Sequence, residues 1–228
     1  MCGRFTLRRP AKVNIEGLAT SELFDSAPRY NIAPSQDVFG VTEAEEQRKV
    51  SLFRWGLIPS WSKDATAFIN ARAETLEGRG SFRESFERRR CLIPADGFYE
   101  WKKLGKLKQP YFFQLEDESP FAFAGIWDRW QRGDTRITSC AIITTTPNAL
   151  LESIHDRMPA ILRDEDQDSW LRSKTRPDEL KALLAPFPAA QMKSFPVSPD
   201  VNSPQIDEAR LVEPATEILP SEGLLFDM

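Results

Sequence analysis

The stretch that decides the fold reads CLIPADGFYEW at residues 91–101. Its aromatic and aliphatic residues predict a β-strand, and Gly105 marks a turn within residues 104–108. Residues 111–115 read YFFQL and predict a partner strand. The two runs, with the turn between them, therefore indicate a β-hairpin.

Other runs of aromatic and β-branched residues occur along the chain. They predict strands at residues 38–42, 50–55, 68–71, 121–127 and 139–145. Helices are predicted at residues 11–24, 82–90, 147–154, 164–171 and 177–184. Residues 27–36 contain two prolines and an Asn, which predict an ordered loop. Because strands and helices do not alternate regularly, we expect a strand-dominated α+β fold rather than a parallel sheet.

The composition is typical of a soluble globular chain. Of the 228 residues, 41% are hydrophobic and 28% are charged, so a core can form, and we expect one domain. The N-terminus lacks a basic region followed by an apolar stretch, and no run of about 18 apolar residues occurs. We therefore expect a cytoplasmic protein without a membrane partner.

Cysteine and histidine are too few and too scattered for the common structural sites. The three cysteines include no CxxC pair, and the chain has a single histidine. A disulfide framework and a zinc site are both disfavoured by these counts. We expect no metal and no other cofactor.

The net charge of −4 argues against nucleic acid until its distribution is considered. From residue 200 onward, seven acidic residues face one Arg, so this part carries −6 and the first 199 residues carry +2. Basic residues cluster at 79–90 and 102–108, either as a phosphate-binding surface or as ordinary solvated faces. Residues 199–228 are acidic and contain prolines, which predict an extended or disordered tail after a domain of residues 2–198.

Cys2 is the first candidate for chemistry. Methionine aminopeptidase removes Met1 before a small side chain, which would leave Cys2 with both a free α-amine and a thiol. Such an amine has a pKa of about 7.7–8.0, so much of it is neutral and can form a Schiff base with an aldehyde. The thiol can then close on the imine carbon to give a thiazolidine. Gly3 permits close approach of the backbone, and Arg4 offers a phosphate-binding fork.

Three further polar residues could assist Cys2, and each also has a plainer explanation. Glu100 lies in an aromatic strand, where burial would raise its pKa toward that of a general acid or base, or it faces solvent. His155, the only histidine, suits proton transfer near neutral pH, or it is structural. Asn70 is flanked by apolar residues, and it could orient an amine or cap a turn.

Trp55, Trp61 and Tyr30 lie near glycine and proline residues, and their aromatic rings could stack on bases. Trp55 is expected to be structural, whereas Trp61 is the better candidate for a wedge at a duplex end.

Six motifs together resemble one family, the SRAP proteins, named as SOS-response-associated peptidases and also described as abasic-site processing proteins. The motifs are CGRF at 2–5, YNIAP at 30–34, WGLIP at 55–59, NARAE at 70–74, PADGFYEW at 94–101 and HDRMP at 155–159. They cover residues 2–198 in the order of the family. Six separate matches are very improbable by chance.

The resemblance implies a single α+β domain built around a curved, barrel-like, mainly antiparallel sheet with flanking short helices. It also implies a positive groove that binds single-stranded DNA containing abasic sites. By position in the motifs, the implied catalytic residues are Cys2 as the crosslinking residue, Asn70 as the holder of its α-amine, Glu100 as the acid/base and His155 as the group that assists sugar-ring opening and imine chemistry. The implied DNA-binding residues are Arg4, Arg72, Arg157, Trp61 and Thr144.

The implied activity is a covalent thiazolidine crosslink that shields the abasic site from strand cleavage, with lyase-type chemistry and self-processing of Met1 as accompaniments. A cysteine peptidase and an N-terminal-nucleophile amidohydrolase, both using Cys2, are the alternative enzymes. Noncovalent binding of single-stranded DNA is a third reading. The protein would then act in the DNA-damage (SOS) response, in the cytoplasm and at damaged DNA of the nucleoid.

The C-terminal tail carries one motif outside the family. It resembles short segments that bind the bacterial sliding clamp, and it consists of Gly223, Leu224, Leu225 and Phe226.

Overall fold

The computed structural model describes residues 2–18, 23–45 and 47–217. Its strands are β1 (Phe5–Leu7), β2 (Arg29–Ile32), β3 (Asp37–Ala44), β4 (Gln47–Trp55), β5 (Asn70–Arg72), β6 (Arg90–Ala95), β7 (Gly97–Leu104), β8 (Leu107–Leu115), β9 (Phe121–Arg132), β10 (Thr135–Thr145), β11 (Met158–Pro159), β12 (Ile161–Leu162) and β13 (Met192–Pro196). The α-helices are α1 (Arg83–Arg88), α2 (Asp164–Leu171) and α3 (Pro177–Ala182). None of these described helices is long and apolar enough to cross a membrane.

The hairpin predicted from the sequence lies at the centre of the first sheet. This sheet has the order β13-β8-β7-β1-β2 and is antiparallel throughout. Strands β7 and β8 are joined by a tight turn in which Gly105 has a φ of 62°. That left-handed conformation suits glycine because it has no Cβ. The predicted hairpin is therefore confirmed.

The second sheet closes on itself. Strand β10 pairs with β4, and pairing continues through β3, β6 and β9 back to β10, while β5, β11 and β12 add at its margins. Within the described residues, only the pairings of β10 with β4 and with β5 are parallel. The expected α+β fold, with a barrel-like and mainly antiparallel sheet and short helices, is confirmed.

Aromatic side chains from both sheets pack around Phe5 of β1. Its ring centroid lies 5.1 Å from that of Trp55 and 5.6 Å from that of Phe123, both in edge-on contact. Each such pair contributes about 0.5–1.5 kcal/mol beyond the burial of apolar area. Trp55 is fully buried, as expected for a structural residue. This packing fixes the short first strand and the residues that precede it.

The stretch 91–101, predicted as one strand, forms two. β6 belongs to the barrel and β7 to the other sheet, and Asp96 is the residue between them. At Gly97 a Cβ atom would lie 2.1 Å from the Cζ atom of Phe112, so only glycine fits there. Glycine thus allows the backbone and the aromatic ring to approach closely where the chain passes from one sheet to the other.

Other local predictions differ from the structure. Residues 29–32, expected as part of a loop, form strand β2, because they pair with β1. Residues 147–154, expected as a helix, form turns, since the Oδ1 atom of Asn148 accepts the backbone N–H groups of residues 150 and 151. The predicted helix at 11–24 contains only a 3-10 turn, Pro10–Lys12, and turns in its described part; residues 19–22 lie outside that part.

The C-terminal strap, which we define as residues 199–217, packs on the first sheet. It contains two 3-10 helices, Pro199–Asn202 and Ala209–Val212, and it buries Val201 and Leu211 completely. The Nδ2 atom of Asn31 donates to the carbonyl oxygens of residues 201, 203 and 206 at 2.8–3.2 Å. The sequence predicts an extended or disordered tail over residues 199–228, and within it residues 199–217 pack on the sheet. The domain boundary at residue 198 stays a prediction, and residues 218–228 lie outside the described part.

Candidate active site

The site begins at the N-terminal end of β1. Phe5 pairs with Phe98 of β7, and the backbone N–H of Tyr99 donates to the carbonyl oxygen of Arg4 at 3.0 Å, which continues the same register. This register carries the chain toward Glu100, the next residue of β7. Cys2 is completely buried there, with its Sγ atom 3.7 Å from the carbonyl oxygen of Arg4.

A buried carboxylate, Asp96, anchors the other end of β1. It accepts a hydrogen bond from the hydroxyl of Thr6 at 2.6 Å, from the backbone N–H groups of Arg8 and Arg9 at 2.6 and 2.8 Å, and from the Nε atom of Arg8 at 3.0 Å. Sequence reasoning did not identify this role. The available signal was an acid followed by glycine between two apolar runs in PADGFYEW. Asp96 positions β1, and through it Cys2.

Asn70 contacts the main chain of Cys2 directly. Its Nδ2 atom donates to the carbonyl oxygen of Cys2 at 2.9 Å. Its Oδ1 atom is buried and has no hydrogen-bond partner in the described part of the chain. A buried acceptor in this position is suited to an N–H donor such as an α-amine. Strand β5 holds Asn70 in place by pairing it with Ile142 of β10.

Glu100 and His155, the two candidate proton-transfer groups, lie close together. The Glu100 side chain is almost fully buried, and its Oε2 atom lies 3.9 Å from the Nε2 atom of His155. Burial raises the pKa of Glu100 from 4.5 to about 7. At neutral pH this carboxyl group can therefore either donate or accept a proton.

The tautomer of His155 follows from its second nitrogen. The Nδ1 atom lies 3.0 Å from the backbone nitrogen of Arg157 and 2.9 Å from the Oδ1 atom of Asp156. In one protonation state, the Nδ1 atom can accept from the backbone N–H of Arg157 or donate to the Asp156 carboxylate, but it cannot do both. Burial is the main factor that lowers the pKa of His155, and the Asp156 side chain is 87% exposed and thus well solvated. We therefore assign a neutral ring with a proton on Nε2, directed toward Glu100.

The thiol of Cys2 is protonated in this environment. Burial, followed by the nearby carboxyl group of Glu100, raises its pKa well above the ordinary value. A cysteine that acts as a thiolate nucleophile needs the opposite shift, from a positive or exposed environment. The buried, protonated thiol is thus poorly suited to act as the first nucleophile of the site, and an amine on the same residue fits that role better.

The three candidate phosphate-binding arginines differ in their surroundings. No carboxylate pairs with Arg4 or Arg72 in the described ranges, although Arg4 donates to the carbonyl oxygen of Gly3 at 2.8 Å. Arg157 instead forms a two-pronged ion pair with Glu74, at 2.8 and 2.9 Å. Arg4 and Arg72 are available to a phosphate, whereas Arg157 must first leave Glu74.

Thr144 lies at the end of β10, opposite Arg72 of β5 and Pro159 of β11. Its side chain is fully buried, and its Oγ1 atom has no hydrogen-bond partner among the described residues. Its carbonyl oxygen accepts from Arg157 at 2.5 Å. Thr144 therefore brings an unused hydroxyl next to two candidate DNA-binding arginines.

Trp61 is separate from the buried cluster. Its side chain is 63% exposed, in a segment between β4 and β5, so its indole face is free for stacking.

Unpartnered polar atoms concentrate around the site. Buried side-chain atoms without a hydrogen-bond partner include the Nε atoms of Arg4 and Arg157, the Oδ1 atom of Asn70 and the Oγ1 atom of Thr144. Such atoms are costly unless a ligand or solvent satisfies them. Across residues 2–18, 23–45 and 47–217, no group of three or more His, Cys, Asp or Glu residues is placed to hold a metal ion. The arrangement suits an organic ligand with several polar groups.

Comparisons with known proteins identify the family of the chain. The family model described as SOS response associated peptidase (SRAP) matches residues 1–204. The chain is 44% identical to the abasic site processing protein YoqW of Bacillus subtilis, covering 93% of this chain and 99% of the relative. It is 32% identical to the abasic site processing protein YedK of Escherichia coli, over 94% of this chain and 100% of the relative. A solved structure of a Bacteroides thetaiotaomicron protein superposes with a TM-score of 0.80 at 29% identity, covering 94% and 100%.

Proposed function

The chain belongs to the SOS response associated peptidase (SRAP) family, and we propose that it processes abasic sites in single-stranded DNA by bonding to them through Cys2. Its relatives in Bacillus subtilis and Escherichia coli are named abasic site processing proteins, which supports this substrate. One observation carries the chemistry. The main chain of Cys2 is held by Asn70, whose free Oδ1 atom is suited to an amine, beside an acid with a pKa of about 7.

The first bond forms between the α-amine of Cys2 and the aldehyde carbon of the opened sugar. This step requires removal of Met1, which lies outside the described residues. Asn70 accepts an N–H of the amine and directs its lone pair at the carbon. On addition, one N–H proton passes to the aldehyde oxygen. The resulting hydroxyl leaves as water after Glu100 supplies a proton, and the Glu100 carboxylate takes up the second N–H proton as the imine forms.

The second bond forms between the Cys2 sulfur and the imine carbon. The S–H proton moves to the nitrogen, and a five-membered thiazolidine closes within one residue, so the entropic cost is small. The product has no aldehyde and is therefore protected from β-elimination. A protonated thiol suffices because the imine carbon is already held beside it.

His155 assists before and during imine formation. Its neutral Nε2–H donates a hydrogen bond to the ring oxygen of the closed sugar. As the bond between C1 and the ring oxygen breaks, Glu100 protonates the ring oxygen and its carboxylate takes up the proton of the C1 hydroxyl, which leaves the open aldehyde. The Arg157 backbone N–H keeps the imidazole in the required tautomer.

The DNA strand is bound by positive side chains around this centre. Arg4 and Arg72 bind phosphates, Thr144 donates its hydroxyl, and Trp61 stacks at a duplex end. Arg157 joins them by exchanging Glu74 for a phosphate. Binding should therefore weaken as salt concentration rises.

The alternative activities are limited by the same geometry. The raised pKa of Cys2 disfavours a general cysteine peptidase, so we restrict peptidase action to processing of Met1. Lyase-type strand cleavage would diverge from the imine before the thiazolidine closes. Membership of the SRAP family disfavours an N-terminal-nucleophile amidohydrolase. Two further predictions are untested: docking to the sliding clamp through residues 223–226, and association with the nucleoid. Residues 223–226 lie outside the described part of the chain.

The deciding experiment mixes the purified protein with uracil-containing single-stranded DNA that a uracil glycosylase has treated, followed by a denaturing gel. A slowly migrating species should form with the unsubstituted protein and with Cys140→Ala. Cys2→Ala should abolish it, and mass spectrometry should find Met1 removed in the reactive protein. If Cys2→Ala forms the same species, covalent processing through the Cys2 thiol is wrong. If the unsubstituted protein forms none, noncovalent binding remains.

A further inference from the structure

The hairpin of β7 and β8 carries lysines in an unfavourable arrangement. Lys103 lies directly opposite Lys108 in the strand register, and Lys106 occupies the adjoining turn. Like charges at directly opposed positions destabilise an antiparallel pair. The three side chains are exposed, and no carboxylate pairs with any of them in the described ranges. An anion bound between them would offset this repulsion.

A fourth lysine on the same hairpin shows the contrast. Lys102 extends from the neighbouring position, and its Nζ atom pairs with Glu217 at 3.1 Å. It also lies over the ring of Tyr111. Lys102, beside the strap, is thus neutralised, whereas the other three lysines have no counter-charge among residues 2–18, 23–45 and 47–217.

The three unpaired lysines line a groove that opens from the reactive centre. Its volume is about 680 Å³. The same wall that contains Glu100 and His155 also contains Lys103, Lys106 and Lys108. Trp101 and Asn202 also line it, joined by a hydrogen bond of 2.8 Å from the indole N–H. A strand that enters the reactive centre would therefore meet these lysines in the same groove.

We propose that this hairpin is a phosphate-binding arm, in which Lys103, Lys106 and Lys108 bind the sugar-phosphate backbone of single-stranded DNA next to the abasic nucleotide. The placement of the abasic nucleotide rests on the proposed function, whereas phosphate binding by the hairpin does not. Lysine suits this role because its ammonium is a point charge that can follow a flexible strand. No base is read, so binding by the arm should be independent of sequence.

The test measures binding of undamaged, fluorescently labelled single-stranded DNA by anisotropy between 50 and 200 mM salt. Each lost phosphate contact should reduce the slope of log affinity against log salt by about 0.7. The variant Lys103→Gln, Lys106→Gln, Lys108→Gln should therefore show a slope that is shallower by up to about 2. Its affinity at 50 mM salt should fall by about tenfold or more.

Two controls separate a specific arm from loss of net charge. Lys102→Gln, on the same hairpin, should leave the slope unchanged. The variant Lys12→Gln, Lys49→Gln, Lys174→Gln removes the same charge from exposed positions outside the groove, and should change the slope by less than the hairpin variant. If the two triple variants are equal, or if the hairpin variant keeps the original slope, the arm is refuted.

The outcome is independent of the covalent chemistry because undamaged DNA cannot crosslink. A shallower slope with no Cys2-dependent species on the gel would support the arm and reject the proposed function. An unchanged slope with a normal crosslink would reject the arm and support the proposed function. Thermal unfolding of the hairpin variant checks its fold, and it should be at least as stable as the unsubstituted protein because a like-charge pair is removed.

Discussion

In the proposed reaction, Glu100 acts near neutral pH because burial raises its pKa. The amine of Cys2 must be neutral and Glu100 must be protonated, with pKa values of about 7.7–8.0 for the amine and about 7 for the acid. The initial rate of crosslinking should therefore follow a bell-shaped curve with a maximum between about pH 7 and 8. Glu100→Gln should slow the reaction by about 10²-fold or more and remove the decline on the alkaline side.

The stability of Glu100→Gln distinguishes catalysis from folding. Folded Glu100 binds its proton more tightly than the unfolded chain does, so its contribution to stability is present below pH 4.5 and is lost as pH rises to about 7. Above that, the substitution should stabilise the protein, by about 1–3 kcal/mol in denaturant unfolding. A variant that is less stable at pH 8, or that keeps the alkaline decline, would contradict the acid role.

At the scale of elements, β1 matters more than its three residues suggest. It lies between β2 and β7 and connects the aromatic core to Cys2. Its position depends on Asp96, which satisfies two backbone N–H groups, one hydroxyl and the Arg8 guanidinium. A strand this short has little pairing of its own, so a buried acceptor must replace the missing ladder.

Asp96→Ala should therefore destabilise the protein by about 3–5 kcal/mol, because it leaves Arg8 and the backbone donors of β1 unpaired. Urea unfolding at pH 7 measures the loss. The crosslinking rate of the remaining folded protein should fall as well, since Cys2 is no longer held against Glu100.

Asp117→Ala serves as the matched control for Asp96→Ala. It removes an exposed carboxylate that bonds only within its own turn, to Ser119, and should change stability by less than about 1 kcal/mol. A loss below 1 kcal/mol for Asp96→Ala would show that β1 does not depend on this carboxylate.

At the scale of the whole molecule, the strap joins distant parts of the sequence by packing against β2. Asn31 of β2 donates to three carbonyl oxygens of the strap, and Asp207 forms an ion pair with Arg29 at 2.7 Å. The strap also forms part of the groove through Asn202. Residues that look like a solvated tail by composition thus complete one wall of the candidate site.

The strap should contribute measurably to folding. Leu211→Ala removes a fully buried side chain and should cost about 2–5 kcal/mol in urea unfolding, with a lower melting temperature. Glu213→Ala, an exposed position two residues away, should stay within about 0.5 kcal/mol. Equal effects of the two substitutions would favour a domain that ends at residue 198.

The sequence by itself determined the features that depend on neighbouring residues. These include the hairpin around Gly105, most strands of the barrel, the helix Asp164–Leu171, and the family motifs that single out Cys2, Asn70, Glu100 and His155. Alternation, turn chemistry and motif spacing are all local signals, so they can be read without a fold.

Only the tertiary structure decided what depends on distant partners. Asp96 and Arg8 are 88 residues apart, and Glu74 and Arg157 are 83 apart, so neither pairing has a local signal. The same is true of β1 and β2, which become strands only by pairing with each other and with β7. The pKa of Glu100, the tautomer of His155 and the unpaired lysines of the hairpin likewise depend on burial and on which charges lie nearby, and packing alone sets those.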